Sequence, residues 1–406
     1  MEPILDETMI NTIRLCGEVR TPKPPSEDAY KSMLRIRRAY EADRPLYPSN
    51  GINDLLRFTV ECNAKPTTLK MYRDLDYFGD EQWWAFSEEQ LQSAKIDLSP
   101  IQWLITMPFV CSHPEKILTR AFSLTPMQSI HDSAWRKLKD RVRDVSPDFG
   151  AMFGLHQIQK RFVDNRSKWN SSNYKTNIDT AVNNAIAQCF THDHQPFTKV
   201  LVIGAGSLEL DIANHLDHGS NNWPSMTQHA FALDLKNTLD GLSHLPTELV
   251  LQNPEYTDVT AEVLRLQEPT VRVVRYDTLD AVFGVDDHTL LFAVNCTDFP
   301  LKQIIAEHAT SSPCEQRLPR VMIWEEGVHI TWENMEKMAL AEDLTDSMVS
   351  ADRTFRDSPR TNRLEEGYDK FEFPNSEEGD PDPFATKPRL AIYVRKQAPT
   401  PNTTPK

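Results

Sequence analysis

The chain has 406 residues, 39% of them hydrophobic and 25% charged, a size and mixture that suit two or three folded units of roughly 150 residues and exclude a wholly disordered protein. Its 44 basic and 59 acidic side chains leave a formal net charge of −15, which repels phosphate backbones and anionic bilayers and argues against nucleic acid or a membrane as partner. The six cysteines, at 16, 62, 111, 189, 296 and 314, form no C-x-x-C pair, and the opening MEPILDETMINTIRLCGEV lacks the basic flank and apolar core of a secretory signal; reduced thiols in the cytoplasm and/or nucleus are expected.

In chain order, residues 1–150 read as a mainly helical and irregular region packed onto the rest of the chain. Tyr30, Met33 and Leu34 share one helical face, and Trp135, Leu138, Val142 and Val145 share another. Between them lie aromatic, proline-punctuated stretches such as DYFGDEQWWAF. Asp140 and Asp144 interleave with the basic residues of the second helix, which makes it a solvated face and not a nucleic-acid patch.

From residue 151 the pattern becomes regular. Leu155, Ile158 and Phe162 form one helical stripe, and Ile178, Val182, Ile186 and Cys189 form a second. Strands and helices then alternate. KVLVIG is a buried strand; SMTQHAFALDLKNTL is a helix with Met226, Ala230 and Leu233 on one face; TELVLQNP is a second strand feeding a helix with Tyr256, Val259 and Val263. VRVVRYD and HTLLFAVN are further strands. Asp298 and Pro300 suit the start of a helix striped by Leu301, Ile304, Ile305 and His308, and PRVMIWEE is a fifth strand. Near-continuous apolar strands alternating with helices define the expected fold class: α/β, a Rossmann-like, mostly parallel sheet with helices on both faces over residues 151–335. Residues 336–387 are acidic and broken and read as a flexible insertion or linker; PRLAIYVRK, over 388–396, returns as an edge strand of the same sheet; 397–406 read as a disordered tail.

In such a sheet ligands lie beyond the carboxyl ends of the strands, at the point where strand order reverses. That places Gly204, Gly206 and Ser207 of IGAGS at the candidate cofactor site, Gly204 for a tight turn and Gly206 for close approach of the backbone to a ligand. The dinucleotide pattern G-x-G-x-x-G needs a small residue at 209, and Glu209 there disfavours NAD and FAD. The looser S-adenosylmethionine pattern accepts G-x-G. Asn253, ending the second strand, can hydrogen-bond a ribose without carrying charge, and Asp277, ending the third, can face an adenine. NCTDFP after the fourth strand is not the N-P-P-Y of amino-methylating enzymes, so no catalytic set is evident. His229 is a candidate base or ligand set against a packed helix surface. Cys189, His192 and His194, and His215 with His218, read as surface or loop positions more readily than as metal sites, and Glu325 with Glu326 read as a strand-terminal polar pair.

KVLVIGAGS, SMTQHAFAL, LVLQNPEYTDVTAEVL, HTLLFAVNCTDFPLKQII and RVMIWEE, in order over residues 199–326 with weaker echoes from 153, resemble the fungal branch of the Sensitivity to Red Light Reduced domain family. Its most specific part here is Ser225-Met226-Thr227-Gln228-His229 followed by Asn253-Pro254-Glu255-Tyr256. The chain departs from the family pattern at Asn253, where Asp is common, and at Cys296-Thr297-Asp298, where a shorter Asn-Val-Pro turn is usual. The resemblance implies a Rossmann-like domain with a regulatory role in light, circadian, haem-biosynthesis or stress responses, working through a protein partner or a small nucleotide-like ligand, with no reaction firmly assigned. The alternatives are an S-adenosylmethionine-dependent methyltransferase and a nucleotide-binding sensor without turnover.

Overall fold

The computed structural model describes residues 154–189, 196–209, 211, 224–243, 245–253, 256–274, 280–294, 296, 301–311, 318–326, 359–376, 383–384 and 389–396, the strand backbone of 70–75 and 81–86, and positions 38, 41 and 42. Within the N-terminal region, β1 (Lys70–Leu75) and β2 (Glu81–Phe86) form an antiparallel hairpin. This departs from the helix-and-loop reading of that stretch: Tyr72, Trp83, Trp84 and Phe86 are strand formers, and the five intervening residues, with Gly79, suffice for a hairpin loop. The stripe from Trp135 to Val145 lies outside the described residues.

Two helices, α1 (Leu155–Asn170) and α2 (Asn173–Cys189), precede the main sheet. The expected stripes are buried at Ile158, Phe162, Ile178, Val182, Ile186 and Cys189, whereas Leu155, at the helix start, is 38% exposed. The chain then runs β3 (Lys199–Ile203), α3 (Pro224–Ser243), β4 (Glu248–Gln252), α4 (Asp258–Gln267), β5 (Arg272–Val274), α5 (Asp280–Phe283), β6 (Thr289–Ala293), α6 (Leu301–Ser311), β7 (Val321–Glu325), α7 (Pro359–Glu366), β8 (Tyr368–Glu372) and β9 (Leu390–Arg395).

Seven strands form one sheet in the order β5-β4-β3-β6-β7-β9-β8. The first five pair in parallel, and β9 pairs antiparallel with both β7 and β8, so β9 runs against the other six. Successive strand residues alternate between two cores. Val200, Val202, Leu249, Leu251, Leu290 and Phe292 face the layer of α1 to α4. Leu201, Ile203, Val250, Leu291, Met322 and Trp324 face α5 to α7. Burial on both faces is why these strands read as continuous apolar runs.

The C-terminal part corrects two expectations. Residues 359–376 are not linker: α7 and β8 fold onto the domain, with Arg360, Leu364, Tyr368 and Phe373 buried. Charge misled the reading because the ions are paired inside. Arg360 Nη1 lies 3.1 Å from Glu307 Oε1 of α6, and the side chains are 1% and 2% exposed. Gln303 Nε2 donates to the same carboxylate at 2.6 Å. Lys302 Nζ reaches Glu365 at 3.2 Å and stands 5.3 Å over the Trp324 ring. The second correction is that β9 is interior; the edge strand is β8, whose exposed Asp369, Lys370 and Glu372 are what an edge carries.

Candidate functional site

The strand order reverses between β3 and β6, which both touch the glycine turn. Gly204 has φ +86° and Gly206 φ +71°, a left-handed backbone that favours glycine. At Gly204 a further reason dominates. A Cβ there would sit 1.9 Å from the carbonyl oxygen of Val294 and 3.1 Å from Cys296 Sγ. Its N–H donates to Gln252 O at 3.3 Å, and Val294 N–H donates to Ile203 O at 3.0 Å. Gly204 is therefore spent on the close approach of the chain after β3 to the chain after β6. Gly206 is half-buried and Ser207 fully buried, and the chain turns helical at Leu208.

Glu209, the residue that breaks the dinucleotide pattern, has a structural task. Its buried carboxylate accepts from the hydroxyls of Thr257 and Thr260. Thr257 is the N-cap of α4, accepting from Thr260 N–H at 3.1 Å, and Thr260 Oγ1 accepts from Leu208 N–H at 3.1 Å. The segment after the glycine turn is thus tied to the start of α4.

Asp211 caps α3. Its two carboxylate oxygens accept from Ser225 N–H at 3.2 Å and Met226 N–H at 2.8 Å. Burial pushes its carboxyl up to about 7, against the pull of those two N–H groups. The rest of the Ser225–His229 motif is also used internally. Met226 is in the core, Thr227 Oγ1 accepts from Asn165 Nδ2 of α1 at 3.0 Å, and Gln228 Nε2 donates to Pro383 O at 2.7 Å. His229 Nδ1 lies 2.6 Å from Ser225 O, which can only accept, so that nitrogen carries the proton. Its Nε2, 2.9 Å from Tyr256 Oη, accepts the tyrosine hydrogen. Burial holds this imidazole neutral, its pKa lowered to about 4. The two halves of the sequence motif, 225–229 and 253–256, meet in this one hydrogen bond.

Among the expected site residues, Gly204, Gly206, Ser207 and Asn253 stand at the carboxyl ends of β3 and β4. Asn253 is buried, and its carbonyl accepts from Tyr256 N–H at 3.3 Å. His229 stands behind this turn with both ring nitrogens engaged. Asp277 lies outside the described residues, as do His192, His194, His215, His218, Asp298 and Pro300. Cys189 belongs to the core, where burial raises its thiol to about 11. Among the described residues no group of three or more His, Cys, Asp or Glu side chains could hold a metal, and no helix is long and apolar enough to cross a membrane. Glu325 is buried at the end of β7, and Glu326 pairs with Lys370 of β8 at 3.0 Å. Asp211 and Thr260 are not singled out by the sequence, and Glu209 only as the residue that breaks the dinucleotide pattern; acids at helix-start positions amid apolar neighbours, with a Thr three residues before another Thr, are the signals available.

The arrangement defines a seven-stranded α/β domain with a glycine turn at its switch point and a motif-built hub beneath it. A family model described as "SRR1 domain" matches residues 165–386, just over half of the chain, and the protein belongs to that family. No curated protein matches the chain. Among solved structures, one described as "Crystal structure of DszA carbon methyltransferase" is similar at a TM-score of 0.30 and 10% identity, covering 93% of this chain and 97% of that one.

Proposed function

We propose that this SRR1 domain is a regulatory binding module whose working face is the carboxyl ends of β3, β4 and β6, around Gly206, Ser207 and Asn253, and that it engages a protein partner or a small nucleotide-like ligand in the cytoplasm or nucleus. The observation that carries this reading is the fate of Ser225 to His229. The most family-specific residues give the α3 N–H groups that Asp211 caps, hold α1, fasten the 383–384 turn and fix Tyr256, so their chemistry serves shape. A neutral histidine with both nitrogens engaged supports a frame better than a proton-transfer role.

A second reading, an S-adenosylmethionine-dependent methyltransferase, is favoured by one observation, the two left-handed glycines at the switch point. Gly206 and Asn253 are the residues that would hold that cofactor, which supplies a methyl group when bound. Calorimetric titration with S-adenosylmethionine, S-adenosylhomocysteine, NAD and ATP separates the readings. Gly206→Trp fills the approach with bulk, and Gly206→Asn, a residue that tolerates the left-handed region, controls for backbone strain. Binding of the first two compounds, lost with Trp and kept with Asn, moves the methyltransferase reading forward. Binding of none removes the ligand half of the proposal and leaves a protein partner to be found.

A further inference from the structure

The turn that carries Asn253 is held from two directions by residues that no ligand needs to touch. On one side is α3. His229 and Tyr256 are 1% and 4% exposed, and the Tyr256 hydroxyl donates to His229 Nε2 at 2.9 Å. The imidazole cannot rotate away, because Nδ1–H is committed to Ser225 O one helical turn earlier at 2.6 Å. Tyr256 in turn reaches back through its backbone N–H to Asn253 O at 3.3 Å. On the other side is the segment directly after the glycine turn. Glu209, three residues beyond Gly206, accepts from both Thr257 and Thr260, and Leu208 N–H donates to Thr260 Oγ1 at 3.1 Å. The residue before Asn253 closes the circuit, since Gln252 O accepts from Gly204 N–H at 3.3 Å.

We infer that His229, through Tyr256, and Glu209, through Thr257 and Thr260, are positioning residues that clamp the Asn253 turn against Gly204–Ser207, so that the backbone of the two turns flanking the binding face is held at a fixed separation. This rests on the reading of that face as the binding face. Binding groups must be held within about half an ångström to keep their affinity, and buried hydrogen bonds with locked partners are how a scaffold does so. The clamp also explains why a helix motif and a distant loop motif occur together: each alone leaves a buried polar atom without its counterpart.

The clamp predicts a pattern that a packing role does not. His229→Gln keeps an acceptor within reach of the Tyr256 hydroxyl, His229→Leu fills the space without one, and Tyr256→Phe removes only the hydroxyl. In the full chain, hydrogen exchange at the amides of Leu208, Tyr256 and Thr260 should quicken at least about tenfold in His229→Leu and Tyr256→Phe and stay near wild type in His229→Gln, while Tm moves by only about 2–4 °C. S-adenosylhomocysteine, titrated calorimetrically, is the binding probe, and its affinity should weaken at least about tenfold in the same two variants, with rescue by Gln. If wild type binds the probe and all three variants bind it equally well, the clamp is wrong while the binding face stands. If wild type binds no probe of the panel, the binding reading fails separately, and exchange decides the clamp: unchanged rates in Tyr256→Phe overturn it, and quickening rescued by Gln upholds it.

Discussion

Replacing Arg360 by Met keeps an unbranched side chain of similar volume and removes its charge. The structure places that charge where removal is costly, because Glu307 is 2% exposed and the guanidinium at 3.1 Å balances its buried negative charge, which the neutral donor Gln303 at 2.6 Å does not. At an effective dielectric of about 20, two unit charges at that distance attract by about 5 kcal/mol, most of which offsets desolvation. The single substitution should therefore cost roughly 3–5 kcal/mol, and Glu307→Leu a similar amount for the mirror reason. The double variant, which buries two apolar groups of similar size, should return to within about 1.5 kcal/mol of wild type. Urea denaturation of the four proteins, followed by circular dichroism and analysed as a double-mutant cycle, reads the coupling directly. If both single variants lie within about 0.5 kcal/mol of wild type, as substitutions in a solvated segment do, the docking of α7 on α6 is wrong.

The same denaturation assay at several pH values tests Asp211. A carboxyl raised from 3.8 to about 7 takes up a proton on folding inside that window, so its contribution to stability declines as pH rises from about 4 to 7. At 1.36 kcal/mol per pH unit of displacement the full effect is about 4 kcal/mol, so Asp211→Asn should gain roughly 1–3 kcal/mol on wild type between pH 5 and pH 8, after the loss of one capping acceptor; parallel pH profiles would refute it. Gly204→Ala should leave little folded protein at 37 °C, costing more than about 3 kcal/mol, because its Cβ meets the Val294 carbonyl at 1.9 Å. A soluble variant with wild-type Tm would show that the approach of Gly204 to Val294 is looser than this contact implies. Phe384→Ala should cost about 3–5 kcal/mol, since its ring packs edge-on against Trp169, Phe231 and Phe373 with centroids at 5.9, 5.4 and 5.4 Å. A loss under about 1 kcal/mol would mean that the 383–384 turn is not part of the core.

The central sheet was legible because Val200 to Ile203, Leu290 to Ala293 and Val321 to Trp324 are buried on both faces, which leaves no polar residue to blur the runs. The glycine turn was legible for the same reason, being the sharp stop at the end of such a run. What stayed hidden depends on partners far along the chain. Arg360 looks solvated until Glu307, 53 residues earlier, is placed beside it, and Gln228 reveals nothing of its bond to Pro383, 155 residues later. β8 reads as loop because Asp369, Lys370 and Glu372 dominate its five residues, and only the buried Tyr368 and half-buried Phe371 tie it to the two cores. His229 stands out in the sequence by its position, but a catalytic and a structural histidine differ in what their second nitrogen meets, and that is a tertiary fact.

The interior place of β9 bears on how this protein is made. Residues 390–395 leave the ribosome after the other six strands of this sheet, yet they form the rung between β7 and β8, pairing Val321 with Val394 on one side and Tyr368 with Arg395 on the other. Until they arrive, β7 presents an open hydrogen-bonding edge and β8 has no neighbour to pair with in the sheet. A nascent chain is therefore committed to a waiting period with a bare apolar strand exposed, the circumstance in which chaperones are recruited and aggregates begin. A stop just before residue 390 leaves β7 and β8 without the strand that joins them, so the sheet stays divided until this rung is in place.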